Sequence, residues 1–432
     1  MQNPVVKTTL DNGLTIFLKE IHTAPIISHW VWYRIGSRYE TPGKTGISHW
    51  VEHMQFKGTH RFPGSKMDQL ISREGGIWNA FTHLDWTTYF ETMPADKINV
   101  AMELEADRMF NSVFDQKEVD SERTVILSEK EGKENEPILR LNTAVVAASF
   151  ENHPYKHEVI GTTEDLNRIN RDDLYQHYRR YYHPGNAHIT MAGDFDSHIM
   201  IDKLNSLYAD KPARDLKPQF IQPEEIIKSK KEILISGPGD TCFVQIAYRA
   251  PAANHPDFSA YTILDSLLSG PASLNMFGGG GTTNKTSRLY KSLVEKDLAI
   301  SIYGGLQATM DPFIYELTIT IHPEQKPETV IKALDQEVDR IINRRIRRPV
   351  IERAIKQARA LFAYGFENIT NQAFWLGYSE MFANYEWFTT YLNRLEAIKP
   401  ADIRYVAEKY LNPENRVVGI YIPTKEPIGE TA

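Results

Sequence analysis

Short runs of β-branched and aromatic residues alternate along the chain with longer stretches in which apolar residues recur at helical spacing. Runs of the first kind fit a pleated, half-buried surface and predict strands at 14–20 (LTIFLKE), 29–35 (HWVWYRI) and 188–195 (HITMAGDF). Stretches of the second kind predict helices over 47–57, 95–111, 116–133, 172–181, 256–269, 325–345, 350–366 and 400–411. Hairpin-like strand pairs among long helices favour an α+β fold.

A proline-rich segment, 209–225, divides the chain into nearly equal halves. It holds three prolines among charged residues, which favours an extended connector over a helix or a central strand. We therefore expect a first unit over 1–208, this linker, and a second unit over 226–432.

The two halves resemble each other in sequence. Segment 29–37 (HWVWYRIGS) resembles 244–252 (VQIAYRAPA), and 182–193 (YHPGNAHITMAG) resembles 410–423 (YLNPENRVVGIYIP). The two matches occur in the same order and at nearly the same separation. They indicate the duplication of a unit of roughly 200 residues or more.

The composition excludes several classes of function. Lys plus Arg is 49 against 56 for Asp plus Glu, and this net charge of −7 argues against nucleic acid as the main partner. No run approaches the ~18 apolar residues of a membrane span, and the first residues contain no apolar region typical of a secretory signal. The sole cysteine, Cys242, excludes an internal disulfide and a thiolate-rich metal site. We expect a cytoplasmic protein, or a periplasmic one if a signal has been removed.

The strongest chemical signal is His49-Trp50-Val51-Glu52-His53. In a helix, at ~100° per residue, both imidazoles and the Glu52 carboxylate lie within an arc of roughly 100°. Two neutral imidazoles suit zinc, and a carboxylate beside them can take a proton from a water that the metal activates. This HxxEH order is the zincin signature HExxH in reverse. The alternative is a helix with two ordinary histidines and a surface glutamate.

Catalytic zinc usually has three protein ligands, so one more is needed. The helix predicted after Asp115 offers Glu122 and Glu129, which are seven residues apart and therefore share a face. The spacing alone does not choose between coordination and a solvated acidic face for these two. We expect Glu118 and Glu131 to be solvated.

The HxxEH motif, followed by Glu129, closely resembles the pitrilysin-like (M16) inverzincin metallopeptidases. Segments 75–92, 121–132 and 153–196 are also similar to that family. The resemblance covers the first half almost completely and the second half more weakly. It is nearest to the branch of half-length subunits (M16B) related to mitochondrial processing peptidase. It implies two homologous LuxS/MPP-like metallohydrolase units, each a mainly antiparallel sheet packed with helices.

The resemblance also implies roles for individual residues. His49, His53 and Glu129 would bind one zinc ion per chain. Glu52 would be the general base, which later passes its proton to the leaving amine. Glu122 would be a carboxylate that orients a ligating histidine.

Substrate binding is implied for Asn79, Ala80 and Phe81, which together with Thr82 match the family's substrate-binding edge strand. An extended peptide can pair with such an edge through main-chain hydrogen bonds. The function expected from these features is hydrolysis of peptides or unfolded segments by a zinc endopeptidase. Alternatives are a non-catalytic structural subunit and a peptide-binding module that holds zinc without turnover.

The second half is expected to be a degenerate copy that holds no metal and forms the opposite wall of a cleft. The position corresponding to His49 falls in 261–270, which contains Asp265 but no histidine. Segment 277–287 is rich in glycine but has Asn284 where a phosphate-binding loop requires a glycine, so a nucleotide site is not expected. The aromatic residues of 375–391 are expected to pack against neighbouring helices.

A partner subunit is expected because of two positions in the second half. Family members that cleave alone, or as homodimers, carry an Arg and a Tyr seven residues apart there, and these help to stabilise the oxyanion. Here Val294 and Ile300 stand near those places, and neither can donate a side-chain hydrogen bond. We therefore expect a heterodimer with a homologous subunit that carries the Arg–Tyr pair. The alternative is that Arg288 substitutes, together with Tyr290 or Tyr303.

Overall fold

The computed structural model describes residues 4–216, 219–271 and 284–424. Most of the glycine-rich segment 277–287 lies outside the described residues. The chain forms two compact units, each built from three segments. The first comprises Met1–Lys130, His157–Ile221 and Phe366–Phe388, and the second comprises Glu131–Lys156, Gln222–Gly365 and Thr389–Ala432.

The first unit contains a six-stranded sheet. Its strands are β1 (Val6–Thr9), β2 (Thr15–Glu20), β3 (Ile26–Tyr33), β4 (Ile77–Thr82), β5 (Thr87–Pro94) and β6 (Ala187–Gly193). Their order is β1-β2-β6-β3-β5-β4, in which β2 and β6 are parallel and the other neighbours are antiparallel. Strand β4 is therefore an edge.

The second unit contains a five-stranded sheet. Its strands are β7 (Lys231–Pro238), β8 (Phe243–Ala250), β9 (Ala299–Leu306), β10 (Phe313–Ile321) and β11 (Arg416–Thr424), in the order β7-β11-β8-β10-β9. The pair β7–β11 is parallel and the other neighbours are antiparallel. The first sheet has the same arrangement in β2-β6-β3-β5-β4. This common topology confirms the predicted α+β fold of two homologous units.

Helices surround both sheets. In chain order they are α1 (Ile47–Gln55), α2 (Gly64–Arg73), α3 (Ile98–Asn111), α4 (Gln116–Glu134), α5 (Pro137–Ser149), α6 (Thr163–Arg168), α7 (Arg171–Tyr181), α8 (Ser197–Tyr208), α9 (Phe258–Leu268), α10 (Pro327–Asn343), α11 (Arg348–Phe366), α12 (Ile369–Phe382), α13 (Tyr385–Thr389), α14 (Tyr391–Glu396) and α15 (Pro400–Tyr410). Each predicted helix is present within a few residues. In the described part of the chain, no helix is both long and apolar enough to cross a membrane.

Helix α12, which lies in the second half of the chain, packs on the first sheet. Gly377 faces Trp32 so closely that a Cβ atom at this glycine would lie 2.1 Å from the indole Nε1. The Thr190 hydroxyl donates to the Ala373 carbonyl over 2.9 Å. The expectation that 375–391 packs against helices was therefore only partly right. Nearly every position of α12 is buried, so its sequence lacks the one-sided periodicity that reveals a surface helix.

Helix α5, which lies in the first half of the chain, packs on the second sheet. A Cβ atom at Gly419 would lie 2.4 Å from Cγ2 of Val145, and Arg249 donates to the Ser149 carbonyl over 2.6 Å. Each compact unit thus contains a long helix from the other half of the chain. The predicted boundaries at 208 and 226 divide the chain into two duplicated halves, and they stay a prediction. The compact units are divided differently, because each unit takes segments from both halves of the chain.

Candidate metal centre

Helix α1 carries the HxxEH motif because one of its faces is strongly apolar. Trp50, Val51 and Met54 are fully buried at the spacing of successive turns, together with Ile47. The helix starts after Gly46, whose φ of 86° suits glycine and where a Cβ atom would lie 2.3 Å from a backbone carbonyl oxygen. The apolar contacts fix the rotation of α1, and that rotation directs the two histidines away from the core.

The start of α1 is held by the buried carboxylate of Glu40. Its two oxygens each accept a backbone amide, one from Gly46 and one from Ser48, both over 2.8 Å. Burial raises the pKa of Glu40 to about 7, although these amide hydrogen bonds favour the charged form. A carboxylate at this end is also favoured by the helix dipole.

Three side chains from α1 and α4 converge on one point. The Nε2 atoms of His49 and His53 are 3.3 Å apart, and Oε2 of Glu129 lies 3.7 Å from the first and 3.8 Å from the second. No second group of this kind occurs among the described residues. Helix α4 therefore places Glu129, and not Glu122, opposite both imidazoles.

These distances suit a zinc ion. With Zn–N and Zn–O bonds of about 2.1 Å, two ligands of a tetrahedron are about 3.4 Å apart. The three separations of 3.3, 3.7 and 3.8 Å lie close to that value. Two imidazoles and one carboxylate are also the donor set of known catalytic zinc sites, which leave the fourth position open.

Glu122 contacts the site from the other side of His53. Its Oε1 atom lies 2.7 Å from Nδ1 of His53, and its Oε2 atom lies 2.5 Å from Nζ of Lys57. Burial works against the charged form of Glu122, but these two partners outweigh it and lower the pKa of the carboxyl group. Burial likewise opposes the charged form of His53, yet Glu122 and the neighbouring carboxylates raise its pKa.

Glu52 lies beside the three converging side chains. Its side chain is buried, and its Oε2 atom accepts a hydrogen bond from the Thr82 hydroxyl over 2.6 Å. Burial raises the pKa of Glu52 more than the hydrogen bond from Thr82 lowers it. A carboxylate with a raised pKa is suited to accept and return a proton near neutral pH.

The three residues expected to bind substrate lie on the edge strand β4, whose last residue is Thr82. Asn79 is exposed, Phe81 is half-buried and Ala80 is buried. The Asn79 side chain accepts a hydrogen bond from the amide of Ala80. Strand β4 pairs with β5 on one side, and its other side is a sheet edge.

The second unit has a different arrangement at the corresponding helix, α9. Asp265 is buried and accepts hydrogen bonds from the Ser269 hydroxyl over 2.6 Å and the Tyr315 hydroxyl over 2.9 Å. Burial raises the pKa of Asp265 to about 6. Both of these neutral hydroxyl groups donate to the same oxygen, Oδ1, of the carboxyl group.

The positions expected to lack the Arg–Tyr pair lie in and beside β9. Val294 ends a π-helical turn, Tyr290–Val294, and Ile300 is 54% exposed on β9. Tyr303 is exposed on the same strand, whereas the Arg288 guanidinium lies 3.9 Å from a Glu337 oxygen.

Sequence reasoning did not identify Glu40 and Lys57 as residues that shape the site, and it did not anticipate the contact of Thr82 with Glu52. Lys57 lies in the turn after α1, and Thr82 was expected only as the end of the edge strand and not as a partner of Glu52. In the sequence, only the position of Lys57 four residues after the HxxEH motif could have pointed to its role. The contacts to Glu122 and Glu52 depend on tertiary structure.

Comparisons with known proteins agree with this geometry. The profile of the insulinase family, peptidase family M16, matches residues 15–163, and the profile of the M16 inactive domain matches residues 168–358. An uncharacterised zinc protease of Bacillus subtilis, YmxG, is 30% identical over 311 residues, which are 70% of this chain and 74% of that protein. The chain belongs to peptidase family M16.

Other members of this family resemble the chain over nearly its full length. The zinc protease PqqE of Helicobacter pylori is 26% identical over 416 residues, covering 93% of this chain and 89% of that protein. The crystal structure of a protease from Helicobacter pylori has a TM-score of 0.90 at 24% identity, covering 98% of this chain and all of that one. The chain therefore has a peptidase family's fold, and its relatives are named zinc proteases.

Proposed function

We propose that this M16 chain is the zinc-binding subunit of an endopeptidase that hydrolyses peptides or unfolded segments. The observation that carries the proposal is the convergence of His49, His53 and Glu129 on one point at the separations of zinc ligands. One zinc ion per chain, when bound there, would polarise the scissile carbonyl and lower the pKa of a water molecule to ~7.

Glu52 is the general base in this proposal. One of its oxygens is held by Thr82, so the carboxylate has a fixed orientation beside the ligand cluster. Its raised pKa lets it take a proton from the attacking water and pass it to the leaving amine. Because Glu52 is not a ligand, its loss would stop turnover and leave metal binding intact.

The substrate in this proposal is an extended peptide that pairs with β4 at Asn79, Ala80 and Phe81. The edge of β4 opposite β5 would offer main-chain donors and acceptors, so recognition would depend little on sequence. Strand β4 ends at Thr82, which contacts Glu52, so a peptide on this edge would lie close to the base.

A homologous partner subunit completes the site in this proposal. The places of the Arg–Tyr pair hold Val294 and Ile300, and Arg288 has Glu337 as a neighbour at 3.9 Å. The partner would supply the hydrogen-bond donors for the oxyanion. The presence of Val294 and Ile300 at these places also favours the second candidate function, a subunit that binds zinc and peptide without turnover.

Zinc analysis tests the metal site. Wild-type protein should contain one zinc per chain, and His49→Ala or Glu129→Gln should lose most of it, because each residue is one of three ligands. Glu52→Gln should retain the metal. Full zinc in the His49 or Glu129 variant would refute the assignment, and two zinc ions per chain would place a second site elsewhere.

A peptidase assay tests the need for a partner. The zinc-loaded chain alone should cleave an unstructured peptide slowly or not at all, and a homologue lacking HxxEH but carrying the Arg–Tyr pair should restore cleavage. Robust cleavage by the chain alone would refute the heterodimer. Absence of cleavage with zinc bound and the partner present would favour the peptide-binding subunit.

A further inference from the structure

Lys57 lies just beyond α1 and reaches back toward the candidate zinc site. Its Nζ atom is 2.5 Å from Oε2 of Glu122 and 3.7 Å from Oε2 of Glu118. The Glu122 side chain is 8% exposed and that of Glu118 is 52% exposed. The close, buried partner of Lys57 is therefore Glu122, and Glu118 is a weaker, solvated neighbour.

The backbone at Lys57 is fixed by two glycines. Gly58 has a φ of 91°, and a Cβ atom there would lie 2.3 Å from the Gly64 nitrogen. A Cβ atom at Gly64 would lie 2.6 Å from the Lys57 carbonyl oxygen, which accepts the Gly64 amide over 3.2 Å. This close backbone packing sets where the Lys57 side chain begins and lets its ammonium group reach Glu122.

Glu122 is held at both of its oxygens. When Nε2 of His53 faces a metal ion, the proton of the ring is on Nδ1. This N–H group then donates a hydrogen bond to Oε1 of Glu122, 2.7 Å away. The other oxygen accepts from Lys57. A carboxylate with a different donor at each oxygen has one preferred orientation, and it passes that orientation to the imidazole ring.

Loss of the Lys57 ammonium group would release this orientation. Oε2 of Glu122 would be buried without its charged donor, which is unfavourable for a carboxylate. A rotation of Glu122 toward solvent would relieve this and would weaken the hydrogen bond to His53. The charge also matters, because Glu52, Glu122 and Glu129 place three carboxylates around one dication and Lys57 balances one of them.

We propose that Lys57 is a positioning residue for zinc binding, which acts through Glu122 on the imidazole of His53. The inference rests on the proposed zinc site, since it assumes a metal at His49, His53 and Glu129. Lys57 is the third residue in a series of contacts that runs from His53 through Glu122. Lys57 itself touches neither metal nor substrate.

The test is a measurement of zinc affinity with the metal alone. The full-length chain is stripped with a chelator and titrated with zinc in competition with a chromophoric indicator. Lys57→Met should weaken binding about 10-fold, at the lower end of the effect of groups that orient ligating histidines. Lys57→Arg, which keeps a charged donor, should stay within about 3-fold of wild type.

Lys44→Met is the matched control. Lys44 lies in the segment just before α1 and forms an ion pair of 2.7 Å with Asp173 of α7. Its loss should leave zinc affinity unchanged. The melting temperature of the zinc-free protein should be similar for the Lys57→Met and Lys44→Met variants, because the effect of Lys57 is exerted on the metal site.

A second measurement replaces zinc with cobalt. The visible absorption of Co²⁺ reports ligand geometry, so its bands should shift in Lys57→Met and return to the wild-type positions in Lys57→Arg. Wild-type zinc affinity in Lys57→Met, or an equal loss in Lys44→Met, would overturn the inference. So would a zinc-free melting temperature of Lys57→Met far below that of the control. Failure of the wild-type chain to bind zinc would instead refute the proposed function.

Discussion

Helices α1 and α9 follow corresponding strands of the two sheets, but they place different chemistry there. Helix α1 turns His49 and His53 toward Glu129, so three donor atoms meet. Helix α9 presents one carboxylate, Asp265, and two hydroxyl groups donate to one of its oxygens. Gly304 leaves room for this cluster, since a Cβ atom there would lie 2.3 Å from the Ser269 hydroxyl oxygen. One topology therefore supports a convergent donor set in one unit and a closed hydrogen-bond cluster in the other.

The first prediction concerns Glu52 in the first unit and Asp265 in the second, each of which is replaced in turn by its amide. Glu52→Gln should lower kcat of the complete enzyme at least 100-fold, because general bases typically contribute 10²–10⁴-fold to the rate. Asp265→Asn should leave kcat within about 2-fold, because its partners are neutral hydroxyl groups. Steady-state kinetics with equal zinc loading measures both. Equal losses in the two variants would refute the functional difference between α1 and α9.

The second prediction concerns the acid stability of the first unit. Burial lowers the pKa of four of its histidines: His29 to about 4, His177 to about 3, His183 to about 4, and His188 well below its usual value. Below pH ~6.5 these four histidines therefore bind more protons in the unfolded chain than in the folded unit. Their contribution to stability is present above that pH and is lost as the pH falls, whereas a carboxyl group with a raised pKa, such as Glu40, contributes in the opposite sense. For the buried His29 and His177 the losses are of the order of 3 and 5 kcal/mol, respectively.

Tryptophan fluorescence measures this transition selectively, because all seven tryptophans lie in segments of the first unit. The emission should change cooperatively between pH 6.5 and 3, and His177→Gln should move the midpoint to lower pH. His198→Gln, on an exposed position of α8, should leave it in place. Native emission down to pH 3 would contradict the prediction.

The third prediction removes the hydroxyl donor of each carboxylate. Thr82→Val keeps the shape of the side chain but deletes the donor to Glu52, and kcat should fall about 10-fold with little change in KM or zinc content. Tyr315→Phe deletes the corresponding donor to Asp265 and should leave kcat unchanged. An unchanged kcat in Thr82→Val would mean that Glu52 does not depend on Thr82 for its orientation.

The fold class, the duplication and the centre of the candidate site could be predicted from the amino-acid sequence. The spacing of His49, Glu52 and His53 fixes their positions on α1, because local hydrogen bonding and the buried stripe at Trp50 and Met54 suffice to define that helix. The repeated segments near β3 and β8 likewise identified two units of one topology, which the order of the strands confirms.

The remaining features of the site and of the fold depend on tertiary contacts. Glu122 and Glu129 share a face of α4 but lie about 10 Å apart along its axis, so only the packing of α4 against α1 selects Glu129 as the ligand candidate. The contacts of Lys57 and Thr82 also depend on tertiary packing, because their partners are distant in sequence. So do the positions of α5 and α12, each of which packs on the sheet formed mainly by the other half of the chain. Local sequence specifies which face of a helix is buried, whereas the identity of its partner depends on contacts that form only when the chain is folded.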